Sequence, residues 1–274
     1  MLIASAAGLV ILGASASLFS STYRLKGRED QLIPLQETLR GAAEIMSQDL
    51  REATGTRVIL NNNIPALPAS TNTSITITDM DHNGKFSIPE PNGNSLQNSA
   101  NTPIIEPNYA NKTCEDVFVA GDWALVTSGN WSQWVQVGNN GGNVCLANSG
   151  QKKVLHVQQK LTGIVWTPAA SFMKMNIVQY YLGTDASTGS TVLYRKLGSA
   201  DPQIVAFDIT DLKFQYSTDG LTYTNTPAST PASIRLTITG RAQKKLPGES
   251  AYRTYSLSQN VFMRRTTLAE PTNP

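Results

Sequence analysis

Charge is scarce in this chain of 274 residues: Asp, Glu, Lys and Arg make up 15%, against about 25% in an average soluble domain. That scarcity excludes a coiled-coil rod and a charged disordered tail. The formal net charge of +2 is too balanced for a dedicated nucleic-acid binder, which concentrates Lys and Arg into a patch or stripe. Histidine is rarer still, with His82 and His156 alone. No G-x-S-x-G elbow, Walker loop, H-E-x-x-H or C-x-x-C occurs, so the sequence offers no enzyme chemistry. His156 lies in the strand-like Val154-Leu155-His156-Val157, where a histidine is more often structural than catalytic.

Charge is absent altogether from Met1 to Tyr23 and dense immediately after. The apolar run Met1 to Phe19 would span about 28 Å as a helix, close to a bilayer core of ~30 Å. A cleaved signal peptide, ending at Ala14-Ser15-Ala16, would need a basic n-region that this chain lacks. The following residues continue without a clear helix stop. Leu32, Leu35, Leu39, Ala42, Met46, Leu50 and Ala53 recur at spacings of three and four and make one apolar stripe. Pro34 should kink the helix, because the stripe keeps its phase across it. Gly55 is a reasonable stop. The pattern predicts one helix of about fifty residues, apolar in its first half and amphipathic in its second.

From Val58 onward the signals are β. Strands are expected at Thr73–Thr78, Asn176–Leu182, Thr191–Leu197, Gln203–Phe207, Leu212–Tyr216, Ser233–Thr239 and Ala251–Arg264, with a hairpin turn at Ser217-Thr218-Asp219-Gly220. The expected fold class is α+β: a long N-terminal helix packed on an antiparallel β-sheet head with a β-rich middle.

Two features of the middle carry chemistry. Asp79-Met80-Asp81-His82-Asn83-Gly84-Lys85-Phe86-Ser87-Ile88-Pro89-Glu90 fits the Ca²⁺-loop pattern D-x-[DN]-x-[DN]-G-x5-E. Asp79, Asp81 and Asn83 would give oxygens at alternate places, and Gly84 would permit the turn. Lys85 would add its carbonyl, Ser87 a hydroxyl or bound water, and Glu90 a bidentate carboxylate. The flanks are not those of a helix-loop-helix hand. The alternative is a β-turn with Asn83-Gly84 at a hairpin tip and solvated acids. Cys114 and Cys145 are the only cysteines, in a chain suited to an oxidising exterior, and are expected to join. They would staple a lobe without a large core of its own. Two free thiols, or a metal site with His156, are the alternatives. Trp123, Trp131 and Trp134 fall between the cysteines and offer either core packing or a surface on which sugars or DNA stack.

The stretch LVILGASASLFSSTYRLKGREDQLIPLQETLRGAAEIMSQDLREAT resembles the PilW family of type IV minor pilins. Tyr180-Tyr181-Leu182, Leu193-Tyr194-Arg195, Ile204-Val205, Ile209 to Tyr216 and Ser256 to Arg265 resemble the short blocks of PilW-like and J-type pseudopilin heads. The resemblance implies a pilin-like fold. Residues 1–23 would be the transmembrane and filament-core half of the helix, 24–57 its amphipathic half, and 58–274 the head. Within the head, 58–170 would be a variable insert, 171–265 the pilin-type sheet and 266–274 a tail. The basic leader, and the Phe-Thr-Leu-Ile/Val-Glu segment that follows it in pilins, do not precede Met1, so the chain is expected to start inside the true N-terminus. The implied function is a minor pilin of a priming or tip complex, serving pilus extension, adhesion, twitching motility or DNA uptake. Its partners would be other minor pilins and the major pilin, met through the helix. Its location would be the inner membrane, by a single span with the head in the periplasm, and then the extracellular filament. DNA or a host surface as ligand has no specific motif behind it. The alternatives are a J-type pseudopilin of type II secretion and an anchored extracellular Ca²⁺-dependent binding module or hydrolase.

Overall fold

The computed structural model describes residues 2–53, 67–89, 101–105, 113–139, 141–149, 152–226, 231–245 and 249–263; for most residues before 32 it describes the backbone alone. Helix α1 is Leu2–Glu52. It runs through Pro34, and the Thr38 hydroxyl donates to the Pro34 carbonyl at 2.9 Å. Along its second half Leu35, Leu39, Ala42, Met46, Leu50 and the following Ala53 are buried, while Glu37, Arg40, Glu44 and Arg51 face solvent. The three- and four-residue spacing of the apolar positions turns one face toward the sheet.

Strand β7 (Ser171–Thr184) organises the large sheet. Along one edge it pairs antiparallel with β1 (Ser74–Ser87) from Ser74 to Met80 and again from Lys85 to Ser87. Along the other edge its first part pairs with β3 (Trp123–Ser128) and its second with β8 (Thr191–Leu197). The remaining members are β2 (Asn101–Ile105), β4 (Trp131–Gln136), β5 (Cys145–Ser149), β6 (Lys152–His156) and β9 (Gln203–Phe207), making nine strands in all. A separate three-stranded sheet contains β10 (Ile209–Ser217), β11 (Ser233–Arg241) and β12 (Thr254–Phe262). One helical turn, α2 (Cys114–Val117), precedes β3 and is closed by a capping box between Thr113 and Asp116.

Three clusters fill the interior. The first joins the stripe of α1 to one face of both sheets, through Ile75, Tyr180, Phe214, Leu236, Ile238 and Val261 among others. The second lies under α2 and is centred on Phe86, Phe118 and Phe172, whose adjacent rings are 5.3 Å apart. The third, on the opposite face of the large sheet, holds Trp123, Leu125, Trp134, Met173, Met175 and Ile177.

These findings correct three expectations. The molecule is mostly β, with twelve strands in two sheets among the described residues, and is not the pilin-like α+β fold of a helix laid on one head sheet. The physical reason lies in β7, whose long ladder draws the strands of the middle region into the same sheet as β8 and β9. Second, the region around the cysteines has a substantial core, because α2, β3 and β4 close over Phe86 and Phe172. Third, among the described residues no helix is long and apolar enough to cross a membrane. The single inner-membrane span expected over residues 1–23 is set aside on that finding, and most side chains of that segment lie outside the described residues.

Candidate functional site

The junction between α1 and the two sheets joins distant parts of the chain by apolar burial and by a partly buried polar cluster. Burial of Leu39, Met46 and Leu50 against both sheets supplies the apolar part; each such side chain contributes roughly 1.5–3 kcal/mol when fully removed from water. Gly240 of β11 lets the helix approach closely: a Cβ there would lie 2.8 Å from Leu35 Cδ1 and 3.3 Å from Leu39 Cδ2. A polar clamp flanks the stripe. The Tyr180 hydroxyl donates to Asp49 Oδ2 at 2.6 Å, and Arg195 Nε donates to the same oxygen at 2.8 Å. Asp49 and Arg195 keep only 16% and 26% of their side-chain surface, so the pair is shielded from solvent screening. Burial, then the neighbouring Asp49 carboxylate, pushes the Tyr180 phenol far above the ordinary tyrosine range. Arg195 is held charged more firmly by its hydrogen bond to Asp49.

Farther toward the N-terminus the helix has a different environment. Leu18 and Phe19 are 68% and 69% exposed. The described side chains that join the core begin at Leu32. Residues 2–31 alone measure about 45 Å along a helix axis.

Of the expected Ca²⁺ loop, Asp79 to Ser87 fall within β1. Asp79 stands opposite Asn176, Lys85 opposite Met173 and Ser87 opposite Ser171. Between Met80 and Lys85 the register shifts, so β1 spends extra residues where β7 has only Lys174 to offer. Asn83-Gly84 is therefore part of a bulge and not a hairpin tip. A Cβ on Gly84 would lie 2.5 Å from Lys174 Cβ, which explains glycine at that place by close packing. Lys174 then reaches Asp122 at 2.7 Å and the Val117 carbonyl at 2.6 Å. Lys85 and Ser87 are exposed, whereas Phe86 and Ile88 between and after them are buried. The Asn83 side chain and Glu90 lie outside the described residues. Among the described residues no three acidic, histidine or cysteine side chains gather to hold a metal. Of the expected donors, Asp79, Asp81, Lys85 and Ser87 are described, and a Ca²⁺ shell takes six to eight oxygens.

Cys114 and Cys145 form a disulfide, with Cα atoms 6.1 Å apart. It ties α2 to the start of β5, and both sulfurs are buried in the second cluster. The tryptophans are largely structural. Trp131 Nε1 donates to the Thr162 carbonyl at 3.1 Å and Trp166 Nε1 to the Ile88 carbonyl at 3.0 Å, while Trp123 and Trp134 are buried. His156 is half-buried in β6, its ring against Gly138.

Sequence reasoning missed the clamp. In the sequence Tyr180 and Arg195 stand out only as parts of short blocks, and Asp49 only as one residue of the helical stretch. The available signal was an acidic residue beside the stripe positions Met46 and Leu50, on a helix flank expected to pack. No family model, curated protein or solved structure matches this chain.

Proposed function

We propose that the protein is a structural subunit of a filament, a minor pilin that joins a priming or tip complex of a type IV pilus. The proposal rests on the helix and on the resemblance of its sequence, and not on the architecture of the head. One observation carries it: the head takes up the apolar stripe from Leu32 onward, whereas Leu18 and Phe19 on the same helix stay exposed. Large apolar side chains on a long projecting helix favour burial against other helices, and neighbouring subunits would supply them. The clamp at Asp49 would then transmit the position of the helix to the head. The partners in this reading are other minor pilins and the major pilin, and no enzymatic step is involved.

Deletion of the gene should abolish or reduce surface pili while exoproteins continue to be secreted. Loss of exoprotein secretion with normal pili would favour the pseudopilin alternative. Loss of neither would reject both assembly readings. Ca²⁺ belongs to the same proposal only as an accessory ion held by Asp79, Asp81, Asn83, Lys85, Ser87 and Glu90, where it would neutralise the carboxylates and stiffen the bulge. Titration of the protein with Ca²⁺ should release or absorb heat and raise the melting temperature; a flat response in both would remove the ion from the account.

A further inference from the structure

The face of the large sheet turned away from α1 carries a polar row across three adjacent strands. The ladders place Thr76 of β1 opposite Gln179 of β7, and Gln179 opposite Lys196 of β8. Together with Trp123, Ile177 and Leu67, these residues line a cavity of about 210 Å³. Thr76 is 1% exposed, and its hydroxyl has no hydrogen-bond partner, although its backbone N–H and carbonyl are both bonded to Ser70 Oγ. Gln179 and Lys196 are half-buried, and neither side chain has a protein partner among the described residues. The buried Thr76 hydroxyl is costly to leave unsatisfied, and the half-buried Gln179 amide and Lys196 ammonium beside it, bound to no other side chain among the described residues, are available to a ligand.

We propose that this row is a binding site for a single acidic sugar residue, the carboxylate-bearing end of a glycan. Lys196 and the Gln179 amide would hold the carboxylate, and the Thr76 hydroxyl would exchange a hydrogen bond with a ring hydroxyl. Trp123 and Ile177 offer the apolar surface against which the C–H face of a sugar ring rests. The cavity is smaller than the ~300 Å³ at which pockets for drug-sized ligands begin, which limits the occupant to about one ring. Among the described residues no Asp or Glu lines it, so the ammonium group of a zwitterionic amino acid would find no counter-ion there. The site uses no residue of α1 and stands apart from the filament reading.

The test is calorimetric titration of the full chain with glucuronic acid, N-acetylneuraminic acid, glucose and acetate. Saturable binding of at least one of the two acids is expected, with glucose roughly tenfold weaker for want of the charge-assisted hydrogen bond. Lys196→Gln should weaken the acid by a similar factor without altering glucose, and Thr76→Val should weaken both sugars. If Lys196→Gln melts early, Thr76→Val carries the test. No saturable binding by either acid would overturn the proposal, as would affinity unchanged in both variants. Acetate binding as tightly as the sugar acid would also overturn it, reducing the site to a simple anion contact.

Discussion

At the scale of single residues, Asp49 accepts from Tyr180 and Arg195 at one oxygen, in a place where water is largely excluded. Removing its charge while keeping its shape, by Asp49→Asn, leaves the Arg195 guanidinium half-buried without a counter-ion. The expected loss is about 1–3 kcal/mol of unfolding free energy, read from the midpoint of a urea transition. Tyr180 makes a second prediction together with Tyr216, whose hydroxyl donates to the Thr71 carbonyl at 2.6 Å and whose phenol is pushed up by burial. In the unfolded chain both ionise near the ordinary value of about 10, whereas in the fold both stay neutral beyond it. Their contribution is therefore complete below pH ~10 and is lost as the pH rises from there toward the folded-state values. An alkaline titration followed by tyrosinate absorbance should leave two of the nine tyrosines silent until the chain unfolds. Titration of all nine before unfolding would refute the burial argument. Asp219 shows the opposite shift: backbone N–H groups of Thr222 and Leu221, then the Ser217 hydroxyl, hold its carboxyl well below the usual range and secure the turn after β10.

At the scale of elements, the bulge of β1 is where local pattern and tertiary packing part company. The oxygen-rich run from Asp79 to Ser87 satisfies a Ca²⁺-loop pattern, yet its backbone continues a ladder begun at Ser74 and resumed at Lys85. What the motif assigned to Gly84 as a sharp turn is met instead as contact with Lys174. Gly84→Ala should therefore cost about 1–3 kcal/mol, because the obstructing atom is a Cβ fixed to a neighbouring strand and cannot rotate away. A thermal melt unchanged by this substitution would show that the bulge shifts freely. Several strands could be read directly. Thr191–Leu197 and Gln203–Phe207 have in the structure the bounds that their alternation suggests. In β11 the apolar Ile234, Leu236 and Ile238 are buried, and Arg235, Thr237 and Thr239 are less so. The strands around the cysteines are harder to read, since β3 is buried at all but one position and β4 at half of its positions, and neither shows a clean alternation.

At the scale of the whole molecule, the helix belongs to the head for only part of its length. Removal of residues 1–25 is expected to leave the urea midpoint nearly unchanged, because the described core begins at Leu32, and, under the proposed filament role, to prevent incorporation into filaments. A collapse of the head on truncation would overturn this division of labour. The sequence by itself determined the helix and its apolar stripe, the strands with clean alternation, and the pairing of the only two cysteines. Each of these follows from local periodicity or from composition. Only the tertiary structure decided that the middle region joins the large sheet, that Asp49 meets residues 131 and 146 positions away, and that Thr76, Gln179 and Lys196 form one row. The physical reason is that a ladder's register and a buried polar partner depend on which distant strands come together, and side-chain periodicity along one segment carries no information about that choice.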